Sequence, residues 1–115
     1  MKEELTKKAL ILLNDLIAQP SFSGEENETA LIIMQWFSDN NIKFESSRHN
    51  VWAKNKHFDP AKKTILLNSH HDTVKPNKGY TRDPFKPEII DGKLYCLGSN
   101  YAGGFLVALL ATFAY

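Results

Sequence analysis

Residues 102–115, AGGFLVALLATFAY, contain no charged side chain. Read as a helix, this segment has almost no polar face, and a helix apolar all round must be covered on several sides. It is too short to cross a bilayer, which takes about 20 residues. Other elements must therefore pack over it. The chain has 115 residues, enough for one small domain and not two. The segment has no capping signal at its end, so the expectation is that it belongs to a larger domain than the one this chain can build.

What could cover it is written in the period of the remaining residues. Leu5, Ala9, Leu12, Leu13, Leu16 and Ile17 recur at helical spacing, which predicts a helix over residues 2–18, stopped by Pro20. Ser23 followed by Glu26 has the pattern of a capping box, which predicts a second helix over residues 24–39 burying Ala30, Ile33, Met34 and Phe37. Asn40 and Asn41 suit a left-handed C-cap. The period then changes to two. Ile42 and Phe44 alternate with polar residues and NVWAK follows, which predicts a hairpin turning through residues 47–50. The run TILLNS, residues 64–69, reads as a central strand covered on both faces. Residues 73–86 read as loop, and Asp91-Gly92 between apolar runs predicts a second hairpin. Gly98 to Gly104 reads as a turn before the last helix. The expected fold class is α/β, a mixed sheet with flanking helices and TILLNS at its centre. Trp36, Phe37 and Trp52 are expected in the core, and Lys54, Lys56, Lys62 and Lys63 on a solvated edge.

The expected central strand runs into NSHHDTV. Successive strand side chains point to opposite faces. If the strand continues, His70 and Asp72 share a side and His71 faces away, to pack or meet solvent. A histidine and an aspartate at the carboxyl end of a central strand suit a metal half-site, because ligands project there into the crevice of an open α/β sheet. Asp72 would hold one ring nitrogen of His70 and fix its tautomer. A histidine after a strand is more often a loop or packing residue than a ligand. One histidine with one carboxylate cannot hold a catalytic zinc, which needs three protein ligands. His49 and His57 lie on hairpin and turn segments that no spacing argument brings to His70. From the residues alone the chain is an α/β unit with half of a metal site. GSNYAGGF has glycines at phosphate-loop spacing, but Gly104 and Phe105 stand where that loop requires Lys and then Ser or Thr.

The segments LLNSHHDTVKP and DPFKPEIIDGKLYCLGSNYAGG closely resemble the zinc-dependent aminoacylase and acetylornithine deacetylase family, to which succinyl-diaminopimelate desuccinylase and the glutamate carboxypeptidases also belong. The family pattern of a metal histidine, any residue and an aspartate, then often valine and proline, falls on His70, Asp72, Val74 and Pro76. A G-S-x-D-x-x-G-like loop opening a helix falls on GSNYAGG, and SFSGEE and DPF also match. The resemblance covers nearly all of the chain. It implies the N-terminal part of a zinc-exopeptidase-like catalytic domain, with residues 1–115 a partial metallohydrolase domain. It also implies two zinc ions, which cobalt can replace, and hydrolysis of the amide of an N-acyl amino acid, as in arginine biosynthesis. By the resemblance His70 is a metal ligand and Asp72 the catalytic aspartate that orients it.

The sequence departs from the family at two positions. Tyr101 occupies the place of the bridging aspartate, and a phenol cannot supply a two-oxygen carboxylate bridge. Cys96 stands where members usually have glycine; a lone buried cysteine behaves as a small apolar residue. The general-base glutamate and the remaining ligands are expected beyond residue 115. The isolated chain is therefore expected to be inactive and to hold no zinc tightly. The alternative is a non-catalytic remnant or interaction module, self-associating through the apolar C-terminal helix. Net charge is +1, with acids and bases mixed, which points to neither nucleic acid nor a membrane surface as partner. One cysteine excludes an internal disulfide and fits a cytoplasmic location.

Overall fold

The structure, a computed structural model, describes residues 2–115, the side chain of Tyr101 excepted. It contains α1 (Lys2–Ile17), α2 (Asn27–Asp39), β1 (Phe44–Ser47), β2 (Asn50–Ala53), β3 (Glu88–Ile90), β4 (Lys93–Tyr95), a π-helical turn (Ser99–Gly104) and α3 (Phe105–Ala114). The strands pair as two separate antiparallel ribbons, β1 with β2 and β3 with β4.

Helix α1 forms where its leucines predict and buries Leu12, Leu13, Leu16 and Ile17. Helix α2 begins three residues later than expected. Ser23 makes no capping bond. Instead Gly24, in the left-handed region at φ 86°, donates its N–H to Glu26 Oε1 at 2.8 Å. Only the carboxylate half of a capping box is used. Thr29, Ala30, Ile33, Trp36 and Phe37 of α2 are buried, while Met34 is half-buried. Asn41 takes the left-handed conformation at φ 56°, and the next amide, Ile42 N–H, closes back to the Phe37 carbonyl at 2.9 Å, as a helix end requires.

Both hairpins form where their turn residues predict. Phe44 faces Ala53 and Ser47 faces Asn50, with Arg48 left-handed at the turn. Asp91 and Gly92 both have positive φ, 50° and 74°, the conformation of the tightest hairpin turns. Leu12, Leu13, Leu16 and Ile17 meet Ile33, Trp36, Phe37, Cys96 and Val107 in one core. Phe37 stacks on Phe44 at 6.0 Å and meets Phe113 edge-on at 6.2 Å.

Three expectations are corrected. The α/β class holds, but there is no single mixed sheet among the described residues. TILLNS joins neither ribbon, and Ile65 and Leu66 are 85% and 84% exposed. A strand is stable at the centre of a sheet only with a hydrogen-bonded neighbour on each side, and residues 64–69 make no backbone hydrogen bond to another described residue. A cleft of about 170 Å³, lined by Val51, Ala53, Leu66 and Leu110 among others, separates this run from β2 and α3. Second, α3 is only half covered. It packs on α1, but Val107 is its one buried residue and Phe105 is 58% exposed. Third, Trp52 is half exposed rather than core.

The glycine turn is part of the helical run. A Cβ on Gly103 would lie 2.4 Å from the Gly98 carbonyl oxygen and 3.0 Å from Leu13 Cδ1. Gly103 therefore serves close approach to α1.

Candidate functional site

The loop from His70 to Thr73 follows the exposed run and lines a small cavity with Leu16 and Ile17 at the end of α1. Alternation of side chains persists through it. His70 and Asp72 point outward and touch each other: His70 Nδ1 donates to Asp72 Oδ1 at 2.7 Å, with side chains 46% and 33% exposed. That bond orients the imidazole and enriches its other nitrogen.

His71 points the opposite way, into the protein. Its Nε2 donates to the His49 carbonyl at 2.8 Å, which can only accept. In the neutral ring Nδ1 is then an acceptor, and Thr29 Oγ1 lies 2.6 Å from it. The Thr29 hydroxyl has one proton. The alternative acceptor, the Glu26 carbonyl, is farther at 3.2 Å and already receives Ala30 N–H. The proton therefore belongs to the bond with His71. Ser21 Oγ donates to the His71 carbonyl at 2.8 Å, and Thr73 N–H donates to the Ser21 carbonyl at 2.7 Å. Phe22 thereby forms an isolated parallel bridge with Thr73.

His49 extends the network. Its Nδ1 lies 2.7 Å from Glu26 Oε2. The Gly24 N–H, opposed by burial and aided by the His49 ring, holds the Glu26 carboxyl below the ordinary carboxylate range. So His49, which spacing alone leaves apart, does reach the loop, through its backbone to His71 and not through its ring to His70. His57 is exposed, with its backbone N–H bonded to Asn55 Oδ1.

Cys96 is buried at 7% exposure, with Sγ 3.0 Å from the Pro84 carbonyl, and burial pushes its thiol pKa up. It packs as a small residue. The Tyr101 side chain lies outside the described residues. No three or more His, Cys, Asp or Glu side chains among the described residues are grouped to hold one metal ion. The donor chemistry of His70 with Asp72 fits one oriented imidazole ligand; a catalytic zinc site needs two more protein ligands. Missed by the sequence reading were Ser21 and Thr29. The available signal was a hydroxyl, Thr29, sitting on the apolar stripe of α2 one turn before Ile33.

The chain is similar to three bacterial acetylornithine deacetylases. That of Shigella sonnei is 32% identical over 112 aligned positions, covering 84% of this chain and 28% of the relative. Those of Salmonella paratyphi B and Salmonella newport are each 34% identical over 110 positions, covering 83% of this chain and 28% of the relative. No family model matches. The chain spans about a quarter of the length of the curated relatives it matches. The resemblance read from the HHD and glycine-loop motifs thus holds at the level of the family.

Proposed function

We propose that residues 1–115 form part of the catalytic domain of a cytoplasmic zinc-dependent amidohydrolase of the acetylornithine deacetylase type, and that His70 is one of its metal ligands. The observation that carries this reading is the His70–Asp72 pair, 2.7 Å apart on a solvent-facing loop, within a chain related to deacetylases. His70 would bind the metal through the ring nitrogen that does not face Asp72. Asp72 holds the tautomer and ring orientation. Zinc would supply Lewis-acid polarisation of the amide carbonyl of an N-acyl amino acid. The ordinary two-ion arrangement needs a carboxylate where Tyr101 stands, and further ligands besides. The chain alone is therefore inactive and holds zinc weakly.

The test is acetylornithine hydrolysis by three proteins: the chain, the chain joined to the remainder of the Shigella relative, and that fusion carrying Tyr101→Asp. Only the last is expected to release acetate and retain zinc, and His70→Ala within it is expected to abolish both. A folded, zinc-loaded fusion whose activity survives His70→Ala would overturn the assignment. A second reading, a non-catalytic module that self-associates, is favoured by one observation, the exposed apolar run at Ile65 to Leu67. Activity in the repaired fusion decides between them for the ancestral role.

A further inference from the structure

Ser21 and Thr29 are the buried polar side chains among the described residues, each 1% exposed. A buried hydroxyl is costly unless hydrogen-bonded. Both are bonded, and both bond the same residue, His71, one at its carbonyl and one at its ring. The opposite edge of that ring binds the His49 carbonyl in the β1–β2 turn. His71 therefore joins three separate parts of the chain: the α1–α2 connection, the first turn of α2, and the first hairpin. We propose that His71 is the positioning residue of the His70–Asp72 pair, and that the buried Ser21 and Thr29 hydroxyls act through it. This rests on the reading of His70 and Asp72 as the functional pair.

The geometry gives the reason. Residues 71 and 73 are the inward members of the loop, and both are tied to Ser21, one by its hydroxyl and one by its carbonyl. Residues 70 and 72 are the outward members. Anchoring 71 and 73 holds Asp72 from both sides and His70 from its carboxyl side. The run before His70 offers no backbone anchor among the described residues. Only an imidazole presents a donor and an acceptor on opposite edges of one rigid ring. A residue that merely filled the space would reach one partner or none.

The experiment uses the whole chain with nitrogen-labelled histidines and reads the ring N–H tautomers by NMR, alongside far-UV circular dichroism. In the parent, His70 is expected as the Nδ1–H form, bonded to Asp72, and His71 as the Nε2–H form. In His71→Ala, and in the near-isosteric Thr29→Val, the His70 Nδ1–H form is expected to be lost as the main species with helix content kept. Thr29→Ser should restore it, and Thr112→Val, a hydroxyl removed from α3, should leave it unchanged. Persistence of the parent His70 tautomer in folded His71→Ala and Thr29→Val overturns the proposal. Unfolding of both variants also overturns it, because the hub would then serve folding and not the pair. Zinc added to the Tyr101→Asp fusion, with and without the same substitutions, separates the two claims, because the chain alone holds zinc weakly. Loss of the tautomer in the variants, with no zinc effect on His70 in any protein, keeps the positioning role and removes the metal reading. Equal zinc affinity in parent and variants keeps the metal reading and removes the positioning role; the proposal expects about tenfold or greater weakening.

Discussion

Ile65 and Leu66 are 85% and 84% exposed, whereas Ser21 and Thr29, which hold the loop that follows, are each 1% exposed. The apolar pair is outside and the hydroxyl pair inside. Composition would order them the other way. The difference lies in partners. Ser21 and Thr29 find acceptors on His71 at 2.8 and 2.6 Å, so their burial leaves no polar group unsatisfied. Ile65 and Leu66 sit on backbone that pairs with no described strand, so their side chains have no sheet face to join. Burial follows from the completed set of neighbours more than from the character of one residue.

This comparison is most severely tested in the core beside the loop. Leu16→Ala should lower stability by about 2–5 kcal/mol, since Leu16 is 5% exposed. Leu66→Ala should change it by no more than about 0.5 kcal/mol. Urea unfolding of both measures the contrast, and equal losses would mean that the run packs in solution. Next in size is Thr29→Val, expected to cost about 1–3 kcal/mol by leaving His71 Nδ1 without its donor; the same unfolding curves read it.

The Glu26 carboxyl gives a smaller, pH-dependent effect. Its folded pKa lies below the ordinary 4.5. A depressed carboxyl adds stability that is present above its unfolded value and lost as pH falls through the folded one. Glu26→Gln should therefore be less stable than the parent at pH 7 and indistinguishable from it once pH is well below 4.5. Urea midpoints at several pH values check this, and a pH-independent gap would contradict the Gly24 and His49 bonds. Smallest in stability is Leu66→Lys, which should leave the unfolding midpoint nearly unchanged while reducing self-association seen by sedimentation at high concentration. Phe105→Lys on α3 should reduce it less, because Leu66 is the more exposed of the two.

The parts legible in the sequence are those decided locally. The leucines of α1, the Asn40-Asn41 helix end and the Asp91-Gly92 turn each carry their geometry within a few residues. The partners in the His70–Asp72 contact were legible because they stand two residues apart on alternating backbone; what holds that backbone was not. TILLNS was not, because an apolar run states only a preference, and strand pairing needs neighbours supplied from elsewhere. Nor was the His71 hub. Its bonds to Thr29 and Ser21 join residues 42 and 50 apart in the chain, and no periodicity encodes such a pairing. The starts of α2 and α3 moved because backbone groups, Gly24 N–H onto Glu26 and Gly103 N–H onto the Gly98 carbonyl, displaced the expected side-chain cap and simple turn.

The central claim is that the loop bearing His70 and Asp72 is anchored from His71 onward while the run leading into it is open. Amide hydrogen exchange on the parent chain tests this residue by residue. Thr73 N–H, bonded to the Ser21 carbonyl at 2.7 Å, is expected to exchange far more slowly than the amides of Ile65, Leu66 and Leu67, which should exchange close to the rate of an unstructured chain. Protection of residues 65–67 equal to that of Thr73, or free exchange at Thr73 in a folded chain, would contradict it.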